Sequence, residues 1–163
     1  MTLQRAALTL VLIWVVAGGP LTARPAAAVA YYCNGLLATH VGTDAGETIT
    51  GTAENDVIVA FGGDDTIYGG DDTDTICAGP GADTVYGEGG NDLIYGAAGA
   101  DWLDGGYETP AAGDGDDIID GGPNDDHLAG ALGNDVLRGG DGIDHLFGGT
   151  GHDWLEGGEG DDT

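Results

Sequence analysis

The chain has 163 residues, 34 of them glycine, and carries 29 acids against three Lys and Arg, a formal net charge of −26. Such a charge repels nucleic acid and anionic membranes, excludes both as partners, and leaves cations as the natural ones. Glycine and acid at this level also describe a disordered chain, and only a regular period argues otherwise.

Residues 1–30 read as a secretory signal peptide. Gln4 and Arg5 open it, Ala6 to Ala17 form a mostly apolar run, and Ala28-Val29-Ala30 fits the A-x-A cleavage pattern. A membrane anchor would need roughly 20 apolar residues, more than this run supplies. The reading predicts a secreted, extracellular protein without membrane insertion, beginning at Tyr31. Arg5 and Arg24 leave with the signal peptide, so Arg138 is the one base left. Segment 31–41, "YYCNGLLATHV", shows no repeat and is expected to be an N-terminal cap.

From Gly42 onward the chain repeats every nine residues. The units include "GTAENDVIV" (51–59), "GEGGNDLIY" (87–95), "GGDGIDHLF" (139–147) and "GGTGHDWLE" (148–156). Position six is Asp56, Asp65, Asp74, Asp83, Asp92, Asp101, Asp117, Asp126, Asp135, Asp144 and Asp153, with Asp162 in a final broken unit. Position eight is always aliphatic, from Ile58 and Ile67 to Leu146 and Leu155. A weaker first copy, "GTDAGETIT" (42–50), has Glu47 in the acid position. One longer unit, "GGYETPAAGDGDDIID" (105–120), carries the insertion 108–114, and the units after it keep the same phase. A short period held over this length means a solenoid. Six residues rich in Gly, Asn and Asp make a turn, and three form a short strand whose middle residue points inward.

The pattern G-G-x-G-x-D-x-U-x resembles the repeats-in-toxin (RTX), or hemolysin-type calcium-binding, nonapeptide. The resemblance covers 42–163. Ala60 and Ala78 depart from it at the first glycine, Asp72 and Asn124 at the third, and Glu47 at the acid. It implies an all-β fold, a right-handed parallel β-roll in which two nonapeptides make one coil and each turn stacks on the turn 18 residues away.

Stacking places the aspartates in two columns. Parallel strands lie about 4.8 Å apart, where neighbouring carboxylates repel. A cation between turns reverses the sign. Ca²⁺ takes six to eight oxygens at about 2.3–2.6 Å. The eleven aspartates named from Asp56 to Asp153 are the expected anionic ligands. The neutral ones are glycine carbonyls at Gly63, Gly81, Gly90, Gly99, Gly115, Gly133, Gly142 and Gly151. Mg²⁺ wants a smaller, stricter octahedron, and zinc would want the Cys or His that most copies lack. One aliphatic per nine residues is a thin core, so metal binding is expected to drive folding.

Four features lie outside this scheme. Cys33 and Cys77 read as one disulfide in an exported chain, stapling the cap over an outer patch of Val59, Cys77 and Tyr95; two free or intermolecular thiols are the alternative. His127 and His145, both at position seven, should stand side by side as a transition-metal pair or as solvated surface. Trp102 and Trp154 could contact a sugar or a partner, or pack on the sheet. The insertion 108–114 reads as a recognition loop or a tolerated lengthening.

No nucleophile with a base and no phosphate loop is present, and carboxylates committed to calcium cannot serve acid–base chemistry. The expected function is calcium binding by a secreted, non-enzymatic protein that takes up several Ca²⁺ ions. The alternatives are a calcium-rigidified adhesion or matrix module with a cell-surface or glycan partner, and a fragment of a larger secreted RTX protein.

Overall fold

The computed structural model describes residues 30–106 and 115–163. The predicted signal peptide, apart from Ala30, and the insertion 108–114 lie outside the described residues. Within them every regular element is a strand: β1 (Tyr32–Cys33), β2 (Leu36–Leu37), β3 (His40–Val41), β4 (Thr48–Thr50), β5 (Val57–Val59), β6 (Thr66–Gly70), β7 (Thr75–Cys77), β8 (Thr84–Glu88), β9 (Leu93–Tyr95), β10 (Trp102–Asp104), β11 (Ile118–Pro123), β12 (His127–Ala129), β13 (Val136–Asp141), β14 (His145–Phe147) and β15 (Trp154–Glu159). From β4 onward each strand begins at position seven, where Thr, Val, Ile, Leu and Trp suit a pleated surface.

Successive strands alternate between two parallel sheets. One has six strands in the order β14-β12-β10-β8-β6-β4, the other seven in the order β15-β13-β11-β9-β7-β5-β3. Register follows the repeat: Ile67 pairs with Val85, and Ile76 with Ile94. Across the long unit the register is kept, with Ile94 opposite Ile119 and Leu103 opposite Leu128. The result is a β-roll of about six turns.

Position eight fills the space between the sheets. Ile58, Ile67, Ile76, Val85, Ile94, Leu103, Ile119, Leu128 and Leu137 are fully buried in one cluster with Ala60 and Ala78. The column opens at its ends. Ile49 is only partly buried, and Leu155 is 42 % exposed because no described coil stacks beyond it.

The turns have a fixed backbone shape. Positions two and four take positive φ, as at Gly79 (110°) and Gly81 (154°), a region open to glycine at little cost. Asp72 (72°) and Asn124 (90°), which depart from the glycine pattern, take the same region, which Asp and Asn tolerate better than other side chains. Those two turns therefore keep the common shape. The turns 42–47 and 51–56 do not: Thr43, Ala45, Thr52 and Glu54 stand at these positions without positive φ.

At the N-terminal end β1 and β2 form an antiparallel hairpin, and β3 is already a strand of the seven-stranded sheet, paired with β5. Cys33 and Cys77 form a disulfide with 5.9 Å between Cα atoms. Cys77 lies between Val59 and Tyr95 in the ladder. Cys33 is buried there and Val59 nearly so, whereas Leu36 and Leu37 of the hairpin remain exposed. With two residues per strand, the hairpin covers the patch through Cys33 and leaves its leucines in solvent.

Candidate metal centre

The aspartates form the two columns the repeat predicts, and the backbone orders them. Asp56 N–H donates to Asp74 Oδ1 (2.7 Å), and Asp74 N–H to Asp92 Oδ1 (2.9 Å). In the other column Asp65 N–H donates to Asp83 Oδ1 (2.8 Å), and Asp83 N–H to Asp101 Oδ1 (2.9 Å). The ladders cross the long unit without a break, from Asp92 to Asp117 and from Asp101 to Asp126. They continue to Asp135, Asp144, Asp153 and Asp162. One carboxylate oxygen per turn is therefore already engaged by the preceding coil.

The second oxygen is not. Oδ2 of Asp65, Asp74, Asp83, Asp101, Asp126 and Asp144 is buried without a hydrogen-bond partner. An unsatisfied buried carboxylate oxygen costs free energy that a cation can return. The Oδ2 atoms of Asp74, Asp101, Asp126 and Asp144 lean toward the first glycine of their own repeat. A Cβ added to Gly69 would lie 2.6 Å from both Asp74 Oδ2 and the Gly87 carbonyl of the next coil. A Cβ on Gly139 would meet Asp144 Oδ2 and, at 2.6 Å, the Gly157 carbonyl. The missing side chain leaves a space lined by one carboxylate and one carbonyl oxygen.

Position four makes a second such space. A Cβ on Gly81 would collide with the Gly63 carbonyl and lie 3.2 Å from Asp83 Oδ1; on Gly133 it would meet the Gly115 carbonyl and, at 2.8 Å, Asp135 Oδ1. Gly99 stands in the same way over the Gly81 carbonyl, Gly151 over that of Gly133, and Gly142 over that of Asn124; Gly90 stands over the Asp72 carbonyl. The carbonyls of Gly63, Gly81, Gly99 and Gly133 accept no backbone hydrogen bond among the described residues. The Gly63 carbonyl thus lies near Asp83 Oδ1 and the Gly115 carbonyl near Asp135 Oδ1.

Burial governs the charge of these groups. It pushes Asp74, Asp83 and Asp101 up to about 6 and Asp126 up to about 7. The neighbouring column aspartate adds to the rise, and the backbone N–H opposes it. Asp65 and Asp144 are raised for the same first reason.

Asp56 differs from the rest. Thr39 Oγ1 donates to its Oδ1 (2.8 Å), and His40 Nδ1 lies 3.2 Å from that oxygen. Thr52 donates to Oδ2 through its N–H (2.6 Å) and its hydroxyl (2.8 Å). Burial pushes its carboxyl up, but these bonds and the His40 charge outweigh it, and its pKa is lowered.

Position five carries a further set of contacts that the repeat pattern does not announce. Ala82 N–H donates to Asp64 Oδ1 (3.0 Å), Asn134 N–H to Asp116 Oδ1 (2.8 Å), Ile143 N–H to Asp125 Oδ1 (2.8 Å), and His152 N–H to Asn134 Oδ1 (3.0 Å). These side chains form a third kind of ladder along the roll. Asn55, Asn91 and Asp161 at the same position are the signal for it in the sequence.

The donor set tests the ion. The columns offer hard oxygens, carboxylate and carbonyl, with His40 beside Asp56 as the one imidazole. Among the described residues no three His, Cys, Asp or Glu side chains converge on one point, so an ion here must draw on backbone carbonyls as well. Oxygen donors of mixed charge suit calcium better than zinc or copper. His127 and His145 do pair in register, with ring centroids 6.0 Å apart. His145 Nδ1 is bonded to Thr163 Oγ1 (2.6 Å), and the pair has no third ligand among the described residues.

The RTX calcium-binding nonapeptide repeat matches in four copies, over residues 41–76, 78–106, 111–137 and 138–163. The chain belongs to this family. No curated protein matches it. RTX repeats are calcium-binding, and the oxygen-lined turns of this RTX chain are the part of the structure with the donors for that ion. No helix among the described residues is long and apolar enough to cross a membrane.

Proposed function

We propose that this RTX chain is an exported, non-catalytic protein that binds several calcium ions between its stacked turns and folds as it does so. The observation that carries the reading is the set of buried Oδ2 atoms without partners at Asp65, Asp74, Asp83, Asp101, Asp126 and Asp144, together with position-four carbonyls that accept no backbone hydrogen bond among the described residues. The ligands would be the column aspartates from Asp65 to Asp153 and the position-four carbonyls from Gly63 to Gly151. Asp56 would contribute least, because protein donors already serve both its oxygens.

Calcium would neutralise carboxylates that burial otherwise penalises, and it would join one coil to the next. Each formed turn presents half of the next site, so folding would be cooperative, as in other nearest-neighbour solenoids. A threshold on the order of 10⁻⁴–10⁻³ M suits extracellular modules and would keep the chain unfolded before export. A calcium titration followed by circular dichroism and hydrodynamic radius tests the reading. Calcium should convert an expanded chain into a compact β-rich one, and magnesium at equal concentration should not. A compact β-rich protein in excess chelator, unchanged by calcium, would overturn it.

A further inference from the structure

The first two turns of the roll are built differently from the rest. In turns 42–47 and 51–56 the position-two N–H meets the acid of its own repeat. Thr43 N–H donates to Glu47 Oε1, and Thr52 N–H donates to Asp56 Oδ2 (2.6 Å). In later turns position two takes positive φ and its N–H points along the roll instead. Gly79 N–H donates to the Gly96 carbonyl (3.0 Å), and Ala97 N–H to the Gly121 carbonyl (2.9 Å). The acids of those two turns, Asp83 and Asp101, keep a buried Oδ2 without a partner. Protein donors thus stand at the start of the roll where a cation is wanted further along.

Other bonds that need no metal gather at the same end. Thr39 N–H donates to the Val57 carbonyl and Gly42 N–H to that of Val59, both at 2.8 Å. Thr39 Oγ1 serves Asp56. The Tyr31 and Phe61 rings meet edge to face at 4.8 Å. Only four of the 29 acids and four of the 34 glycines fall in 31–59. Per residue, this stretch therefore carries less self-repulsion and a smaller entropic cost of ordering than the repeats after it.

The disulfide joins this end to the next coil. β1 packs on β5 and β7, and Cys77 of β7 pairs in register with Val59 of β5, one full coil earlier. With Cys33 holding Cys77 beside β5, the chain between Val59 and Cys77 has both ends fixed, which lowers the closure entropy of that coil. The staple also removes an ambiguity. Val57-Ile58-Val59 could stack on Leu93-Ile94-Tyr95 as well as on Thr75-Ile76-Cys77, because glycine-rich strands specify register weakly. Once the first pair is set, every later coil follows in order.

We propose that residues 31–59, stapled to β7, fold without calcium and are the seed from which calcium-driven folding spreads toward β15, with the disulfide fixing the register of the first stacked pair. A nearest-neighbour solenoid can begin folding at any coil; here one end is already made. The proposal rests on the calcium reading for what orders the later coils, whereas the seed is held by bonds between protein groups.

The test is pulse-labelled hydrogen exchange on the full disulfide-bonded chain after a jump from chelator to saturating calcium. In chelator the amides of Thr39, Gly42 and Thr52 should already be protected, while those of β9 to β15 exchange freely. After the jump, protection should reach β7 and β8 before β12 to β15. Folding rates give an independent measure. Ile58 of β5 and Ile119 of β11 are both fully buried. Ile58→Val should slow calcium-triggered folding by about 2- to 10-fold, whereas Ile119→Val should leave that rate within about twofold and speed unfolding instead. Cys33→Ala with Cys77→Ala should slow folding by roughly tenfold or more and still bind the same number of calcium ions at saturation. Protection appearing first in β12 to β15, or in every strand together, would overturn the proposal. Equal slowing by Ile58→Val and Ile119→Val, or an unchanged rate without the disulfide, would overturn it as well. A chain fully protected in chelator would contradict the calcium reading instead; the same pulses after dilution from denaturant then rank the strands and decide for or against the seed.

Discussion

The hydroxyl of Thr39 donates to Asp56 Oδ1 across 2.8 Å, tying the strand that enters the roll to the first aspartate of one column. With His40 and Thr52 it gives Asp56 partners on both oxygens, whereas Oδ2 of Asp74 has none. Asp56→Ala should therefore cost stability, about 1.5–3 kcal/mol for hydrogen bonds to a charged group, while leaving the number of bound calcium ions unchanged. Denaturant melts in saturating calcium, with calcium counted by equilibrium dialysis, check both halves. Loss of an ion without loss of stability would show that Asp56 is a ligand like the others.

An interior aspartate should behave in the opposite way. Asp101 is buried, has an unpartnered Oδ2 and links coils on both sides. Asp101→Ala should raise the calcium concentration needed for folding by roughly tenfold, the equivalent of about 1.4 kcal/mol. Asp162 only receives the Asp144 N–H, at the outer coil, and Asp162→Ala should shift that midpoint much less. Equal shifts in the two titrations would count against stacked sites.

Without calcium, acidity should favour the fold. Unfolded carboxyls titrate near 3.8, whereas burial raises Asp74, Asp83 and Asp101 to about 6 and Asp126 to about 7. Between those values the folded roll holds more protons than the unfolded chain, so its stability falls as pH rises. The contribution is fully present below about 3.8 and is lost as pH climbs through 6 to 7. Secondary structure in calcium-free buffer should thus be greatest near pH ~4 and decline toward neutrality. With calcium present protons compete for the same oxygens, and acid should release the ion. A calcium-free chain equally unfolded at about pH 4 and about pH 7.5 would contradict this.

Reduction should act locally. The Cys33–Cys77 bond closes a span of 44 residues, and a disulfide of that kind contributes about 2–4 kcal/mol. In hydrogen exchange after reduction, amides of β1, β5 and β7 should lose protection before those of β12 to β15. Uniform loss along the chain would mean that the roll unfolds as one unit.

Much of this was legible in the residues. Asp and Ile or Leu two apart, every nine residues, specify the inward faces, the two columns and the pairing of His127 with His145, because a parallel roll leaves the chain no other register. What was not legible concerns hydrogens and chain ends. The ladder in which each Asp N–H meets the next Asp Oδ1 depends on where amides point, and a pattern of side chains is silent on that. Asp64, Asp116, Asp125 and Asn134 looked like turn formers, yet they bond along the roll. Asp56 matched the pattern as well as Asp74 does. Only Thr39 and His40, outside the repeat, and Thr52 in its own turn distinguish it.

The alternation of β10, β11, β12 and β13 between two sheets gives the chain a parity. Loss or gain of two nonapeptides would shorten or lengthen the roll and leave every later residue on its own face. Loss of one, for instance 130–138, would send His145 to stack under Ile118 and carry each later residue to the opposite side. A surface feature such as the His127–His145 pair is therefore broken by an odd number of repeats lost or gained between its members, whereas the seven extra residues in one turn disturb neither face, since both sheets resume their pairing after them.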